Sequence, residues 1–171
     1  MPIDIQPLRI RSKESPRDIL AVDFKSLGEI PVLGGWGYTI EDAVIIDKND
    51  PVVPKGIPFN GVGLEYVFVE KRIYEELIIF RPENERYSGI KWNLLGQKLT
   101  SHKGRQYDVL TFEVTALHDR DWEELKSERE GPTGYGSPRF NADAHNKKRD
   151  SRTIRYVTEY YFDITSFYGS K

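Results

Sequence analysis

The sequence predicts an α+β fold, in which residues 1–171 form a single globular domain with a mainly antiparallel β-sheet and two or three short flanking helices. Aromatic residues make up 12% of the chain, whereas alanine occurs only five times. This balance favours strands, because rings suit a pleated surface and alanine suits helices. Residues 89–117 have the pattern of a β-hairpin. Residues 153–165 alternate between apolar and polar side chains, which is typical of antiparallel sheets with one wet face.

Composition excludes several classes of protein. The chain contains no cysteine, which rules out a disulfide framework, a thiolate metal site and a cysteine nucleophile. Its longest uninterrupted apolar run is four residues, 43–46, whereas a membrane-spanning helix needs about 20. Residues 1–4 are not followed by the apolar stretch of an export signal. We therefore expect a soluble, cytoplasmic protein that makes no membrane contact.

The first half of the chain predicts two helices and one strand. Ser15 is placed to cap a helix that starts at Pro16, since serine accepts a backbone N–H and proline fits the first helical position. Proline and glycine punctuate residues 31–63, where only residues 38–47 have a strand pattern. An apolar stripe then predicts a helix over residues 69–78.

The second half predicts the hairpin, a short helix, a loop and the last strand. In the hairpin, residues 101–105 form the connection. A helix follows, with Asp119 or Asp121 as its cap. Residues 131–150 contain few side chains that could stabilise an ordered structure, so we expect a mobile loop of about twenty residues. The inward-facing residues of the second hairpin strand are predicted to be Leu110, Phe112, Val114 and Ala116.

The candidate catalytic residues are His118, Asp119 and Asp121. A histidine at a strand end beside carboxylates suits a general base in a hydrolase, or a divalent metal site completed by Asp143 and His145. The chain lacks the Gly-x-Ser-x-Gly and His-Glu-x-x-His patterns. We therefore expect no cofactor and no metal site, and capping roles for the two aspartates, with catalysis left as an alternative.

A second alternative is association with nucleic acid through a basic hairpin. Residues 86–105 carry five basic side chains and no acidic one, interleaved with aromatic rings, as in a platform for phosphates and stacked bases. The residues that would contact nucleic acid are Lys91, Lys98, Lys103 and Arg105. Against this, the pI of the chain is about 6.0, whereas dedicated binders are usually strongly basic.

The favoured hypothesis is a non-enzymatic binding or protein-interaction domain. Its large rings are set among glycine-rich loops and strand edges, where tryptophan and tyrosine form binding hot spots. The sequence predicts a protein partner or self-association through an exposed strand edge, and it leaves room for a small ligand. The predicted ligand or partner contacts are Trp36, Tyr38, Trp92, Trp122 and Tyr135.

Overall fold

The computed structural model describes residues 1–169 and contains six strands and four α-helices within that range. The strands are β1 (Ile3–Asp4), β2 (Val32–Gly34), β3 (Val44–Ile46), β4 (Tyr87–His102), β5 (Arg105–His118) and β6 (Ile154–Asp163). The helices are α1 (Pro16–Asp23), α2 (Gly61–Tyr74), α3 (Asp119–Glu130) and α4 (Ala142–Arg152). Among these, none is long and apolar enough to cross a membrane. The predicted α+β class with a mostly antiparallel sheet is confirmed, with one helix more than expected.

The strands form one mixed sheet in the order β2-β3-β6-β5-β4. The pairs β2–β3, β6–β5 and β5–β4 are antiparallel. Two short strands, β1 and β3, pair with β6 in the parallel direction, at opposite ends of the same β6 edge. Between them, Tyr161 donates its backbone N–H to the carbonyl of Gly37 at 2.9 Å. β6 is therefore the central strand, and β4 is an outer edge.

The core lies between α2 and one face of the sheet. The four inward positions predicted on β5 are all buried, as are Tyr156, Tyr160 and Phe162 of β6. From α2, the Phe68 ring meets the Phe162 ring edge-on, with centroids 5.8 Å apart. The outward side chains of β6 include an exposed valine and an exposed glutamate. One face of the central strands is thus packed and the other is partly wet, as the alternating sequence predicts.

The helix predicted over residues 69–78 starts earlier and changes form before its end. Asn60 caps α2 by accepting the backbone N–H of Gly63 at 2.9 Å. This cap lies in the glycine-rich stretch, where the apolar stripe gives no helical signal. After α2, residues Glu75–Ile79 form a π-helical turn, in which the Phe80 N–H donates to the Glu75 carbonyl at 2.9 Å. The extra residue in that turn shifts the helical register.

Of two other local predictions for the first half of the chain, one is confirmed and one is wrong. Ser15 does cap α1, accepting the Asp18 N–H at 3.2 Å. The single strand expected over residues 38–47 is wrong in extent, because only Val44–Ile46 is extended and β2 pairs with it. The ends of these short strands are set by their pairing with each other rather than by a local sequence pattern, so the sequence alone does not predict where they begin and end.

In the second half, the hairpin is confirmed and the helix cap and the loop are corrected. β4 and β5 pair from Tyr87 to His102, with bulges that shift the register. The cap position of α3 is His118, whose side chain makes no capping hydrogen bond, so neither predicted aspartate is the cap. The segment predicted as a loop over residues 131–150 is helical from Ala142 onwards, because Asn141 accepts the Ala144 N–H at 3.0 Å and caps α4.

Candidate functional site

The predicted catalytic residues at the start of α3 are engaged in local contacts. The His118 imidazole stacks on the Tyr87 ring, with centroids 4.5 Å apart and planes tilted by 30°. Asp119 accepts a hydrogen bond from Ser88 Oγ at 2.5 Å. These contacts join α3 to the start of β4. They leave His118 beside a ring and without a hydrogen bond to either aspartate, unlike a general base oriented by a carboxylate.

Two other members of the proposed metal site, Asp121 and His145, lie on the contact between α3 and α4, whereas Asp143 is an exposed residue in the first turn of α4. Asp121 pairs with Arg152 at 3.2 Å. His145 lies 3.6 Å from Glu128, between Nδ1 and the carboxylate oxygen, and beside the Phe140 ring. Among residues 1–169, no group of three or more histidine or acidic side chains is arranged to hold a metal ion. The predicted catalytic triplet thus contributes to helix contacts in separate places.

The predicted aromatic contacts do not form one surface. Trp36 is only 5% exposed and packs on Phe68 in the core. Tyr38 donates its hydroxyl to Glu76 Oε2 at 2.5 Å. A cavity of about 800 Å³ is lined by residues 10–16, 34–36 and 42. Trp36 is the only predicted site residue at that cavity.

The remaining three rings lie elsewhere. Trp92 is half-buried and meets the Tyr74 ring at right angles, with centroids 5.9 Å apart. Trp122 packs over Gly89, where an added Cβ would come within 2.8 Å of the indole. Tyr135 is 81% exposed. Of the five predicted aromatic contacts, Tyr135 alone presents most of its side chain to solvent.

Three of the four predicted basic residues are exposed, and the fourth forms an ion pair. Lys91 and Lys98 are exposed on β4, and Lys103 lies in the hairpin turn with a φ of 51°. Arg105 is paired with Asp163, with 2.5 Å between Nε and the carboxylate oxygen. Three lysines of the hairpin are therefore available on its surface, whereas the arginine stabilises the sheet.

The most accessible feature of the sheet is the outer edge of β4. This strand is 16 residues long, and residues 93–99 are all exposed. Leu94, Leu95 and Leu99 are 38%, 50% and 60% exposed. In the described part of the chain no strand pairs with this edge. An edge of this length with exposed leucines is a template for pairing with another chain.

Leucines and lysines lie on opposite faces of this edge. Leu94 is opposite Phe112, whose ring belongs to the core, and Leu99 is opposite an aspartate in the same inward row of β5. Lys91 and Lys98 are opposite Thr115 and Val109, which belong to the other row of β5. The bulge between positions 94 and 96 lets leucines at an even and an odd position share a face.

The leucine face continues onto α2. Tyr66 is 43% exposed and Val62, one turn earlier, is 54% exposed. The Tyr66 ring meets the Phe112 ring edge-on, with centroids 6.4 Å apart, and Phe112 is opposite Leu94. The exposed apolar residues of α2 and of the leucine face of β4 are Val62, Tyr66, Leu94 and Leu99, which we refer to as the apolar strip. We call this strip and the adjoining lysine face the β4 edge site.

Two carboxyl groups lie beneath the leucine face. Gln97 Nε2 donates to both carboxylate oxygens of Asp108 at 2.9 Å. Glu65 of α2 is 1% exposed. The pKa of Glu65 is raised to about 10, mainly by burial and to a smaller extent by the hydrogen bond with Asp108 and its negative charge. Glu65 is thus held protonated near neutral pH and can donate to Asp108.

A second charged cluster is wholly enclosed in the core. The Arg72 guanidinium is 0% exposed and lies 3.5 Å from the Tyr160 ring centroid and 4.2 Å from that of Tyr38. It donates to Thr158 Oγ1 at 2.9 Å and to two backbone carbonyls. Its Nε lies 3.4 Å from Glu76 Oε2. Because neither charged group is accessible, this cluster supports the core rather than a ligand site.

The β4 edge site was not foreseen as a whole from the sequence. The lysines were noted as a basic tract, but Leu94, Leu95 and Leu99 were read only as strand residues. A usable signal is present, since Leu94, Leu95 and Leu99 each lie within three residues of a lysine without an intervening acid. Which strand forms the edge depends on the sheet order, which no local pattern specifies.

No protein-family model, curated protein or solved structure matches this chain.

Proposed function

We propose that the protein is a binding domain that takes up an extended segment of a partner protein as an additional strand along β4. The exposed, unpaired run of residues 93–99 supports this most directly. Main-chain hydrogen bonds of the added strand would supply affinity, and side-chain contacts would supply specificity. Leu94 and Leu99 would contact one face of the segment, and Lys91 and Lys98 the other.

The two faces specify the chemistry of the partner segment. Successive side chains of a strand point to opposite faces, so a segment that matches β4 alternates apolar and acidic residues. Its apolar residues would continue the strip formed by Leu94, Tyr66 and Val62. Its acidic residues would meet Lys91 and Lys98, since opposite charges across a strand pair are favourable.

A partner of this kind fits better than a second copy of the chain. An antiparallel pair of β4 strands centred on the leucines would place Lys91 opposite Lys98 in both directions, and like charges opposite each other are destabilising. Lysines and bulges on an edge are also common protections against self-pairing. Nucleic acid fits less well, because Trp92 already packs on Tyr74 and Tyr87 on His118.

Binding of two synthetic peptides tests the proposal. Each has about eight residues, which is within the normal range of strand lengths; one alternates valine with glutamate and the other valine with lysine. We expect the chain to bind the glutamate peptide at least about tenfold more tightly, measured by fluorescence anisotropy. The double variant Lys91→Glu/Lys98→Glu should reverse this preference. Equal binding of both peptides, or a preference that the variant does not change, would contradict the proposal.

Two further measurements separate strand addition from other modes of contact. Methylation of alternate backbone nitrogens in the glutamate peptide removes the hydrogen bonds of an added strand, so it should abolish binding. Light scattering of the chain alone should give a monomer. A dimer that the single variant Lys91→Glu strengthens, because an acid would then lie opposite Lys98 of the second copy, would identify a second copy as the occupant and overturn the acidic-partner proposal.

A further inference from the structure

Two adjoining cavities beside the start of α2 carry a second inference. The first has a volume of about 360 Å³, within the range of small-molecule sites. It is lined by residues 31, 52–54, 57–60, 63, 64 and 67, of which none is charged. The only polar side chain in this lining, that of Asn60, is engaged in capping α2. The first cavity therefore suits an apolar group and disfavours an ion.

The second cavity differs from the first in charge. It has a volume of about 380 Å³, and its charged lining residues are Lys48, Asp50 and Lys55. Asp50 is 7% exposed and accepts two hydrogen bonds from the Arg17 guanidinium, at 2.5 and 3.1 Å. Lys55 is exposed and forms no ion pair within residues 1–169. The acid of this lining is thus already paired, whereas Lys55 is available to an anion.

The two cavities share part of their lining, so a single ligand can reach both. The shared residues are all apolar: Val53, Pro54, Ile57 and Phe59. An apolar chamber that borders a chamber with an available cation matches a molecule with an apolar body and an anionic end.

Contacts outside the cavities hold the shared lining in place. The Phe59 ring packs on the Phe167 ring, with centroids 5.5 Å apart. Phe167 in turn lies over Gly61, where an added Cβ would come within 2.4 Å of the ring. At the other end of the loop, Asp50 is fixed to Arg17 of α1. Three prolines of the first lining also have a fixed φ. The site is therefore preformed, and little conformational entropy is lost when a ligand binds.

We propose that the paired cavities bind a monocarboxylate with an alkyl chain, its chain in the first cavity and its carboxylate beside Lys55 in the second. Burial of the chain supplies affinity, since each buried CH₂ group is removed from water. The ion pair with Lys55 selects the anionic head group. This site shares no residue with the β4 edge site, and neither proposal depends on the other.

Titration calorimetry with octanoate tests this inference, below the concentration at which octanoate forms micelles. We expect octanoate to bind at least about tenfold more tightly than octylammonium, with 1-octanol between them. A series from butanoate to octanoate measures the contribution of the chain. Each added CH₂ group should tighten binding about threefold to fourfold.

Two variants of exposed residues test the two ends of the site. Lys55→Glu should reverse the preference, so that octylammonium binds more tightly than octanoate. Its matched control is Lys25→Glu, which alters an exposed lysine outside both cavities and should leave the preference unchanged. Ile57→Asp places a carboxylate on the shared lining and should weaken octanoate binding at least about tenfold. Ile57 is 65% exposed, and the equally exposed Val22, at 68%, provides the control Val22→Asp.

Each of these measurements can contradict the proposal. Equal binding of octanoate and octylammonium, or a preference that Lys55→Glu leaves unchanged, would show that Lys55 does not hold a carboxylate. Octanoate binding that Ile57→Asp leaves unchanged would place the ligand outside these cavities. Vesicles of phosphatidylglycerol distinguish a free acid from a lipid. Vesicle binding that requires Lys55, without binding of octanoate, would identify a membrane surface as the occupant and overturn the proposal.

Discussion

Arg72 and Lys148 are both cations that connect a helix to neighbouring elements, but water reaches only Lys148. Arg72 is 0% exposed, is enclosed by two rings and donates to three oxygens on other elements. The Lys148 side chain is 28% exposed and pairs with Glu124 and Glu128, joining α4 to α3. In the core, each lost contact leaves a buried polar group without a partner, whereas on the surface water replaces it.

The same contrast sets opposite responses to pH. Lys148 lowers the pKa of Glu124 and Glu128, so these pairs stabilise the fold above the usual glutamate pKa, and that stabilisation is lost as the pH falls through the lowered values. Burial raises the pKa of Glu65 and Glu75, so their contribution is complete at low pH and is lost as the pH rises. The surface pairs therefore lose their contribution only in acid, whereas the buried carboxyl groups lose theirs as the pH rises through the neutral range.

The largest expected effect is that of Arg72→Met. The substitution leaves Glu76 buried and unpaired and removes the donor from Thr158, so we expect the free energy of unfolding to fall by about 3–5 kcal/mol. Urea unfolding measures this loss. The matched control is Arg155→Met, which removes a part-exposed arginine that pairs with Glu113 at 2.9 Å and should cost far less.

A double variant tests whether the loss of stability in Arg72→Met comes from the unpaired charge of Glu76. Arg72→Met/Glu76→Leu removes both charges of the core pair, so no lone carboxylate remains in the interior. We expect it to be more stable than Arg72→Met alone, even though the hydroxyls of Tyr38 and Tyr156 both lose their acceptor. A double variant that is less stable than Arg72→Met would show that packing of the guanidinium between the rings outweighs its charge.

The next effect concerns Glu65. Its ordinary pKa is near 4.5 and rises to about 10 in the folded chain, so the folded state binds a proton that the unfolded state releases. Stability from this group is complete below the ordinary pKa and declines as the pH rises towards the folded value, by at most about 1.4 kcal/mol per pH unit. Urea unfolding from about pH 5 to about pH 9 measures this slope.

Glu65→Gln isolates the contribution of that carboxyl group. The amide cannot ionise but can still donate to Asp108, so the decline with rising pH should become shallower. Glu75 remains in this variant and keeps part of the slope. Glu123→Gln on α3 should leave the slope as it is in the original chain. An unchanged slope in Glu65→Gln would mean that Glu65 is ionised in the folded state.

The sequence predicted those parts of the fold that local pattern determines. The hairpin, the inward row of β5 and the Ser15 cap follow from alternation and from capping chemistry. The parallel pairing of β1 and β3 with β6 does not, since strands of two or three residues carry no pattern and are defined by their partner. α4 was missed because it has no buried apolar face, and its side-chain contacts with α3 are surface ion pairs.

The candidate sites were harder to predict for the same physical reason. Lys91 and Lys98 are visible in the sequence as a basic tract, but their position on an edge depends on strand order. Glu65 and Glu75 look like ordinary helix-surface acids, and only the packing of α2 and its π-helical turn shows that they are buried. His118 is the opposite case, because its place near two aspartates in the sequence suggests catalysis, whereas its ring stacks on Tyr87 in the structure.

The smallest expected effect is that of Lys148→Ala, which removes the central cation between α3 and α4. Arg152 still pairs with Glu124 at 2.5 Å, and water solvates the carboxylates that lose Lys148. We expect Tm to fall by no more than about 2 °C at low salt. The difference should vanish at about 1 M salt, where charges are screened beyond roughly 3 Å.

Lys126→Ala is the matched control, because it replaces an exposed lysine of α3 with the same gain in helix propensity. Subtracting its effect leaves the contribution of the ion pairs alone. A salt-independent loss in Lys148→Ala as large as that in Arg72→Met would contradict the distinction between the two clusters. It would mean that the aliphatic part of Lys148, rather than its charge, holds α4 against α3.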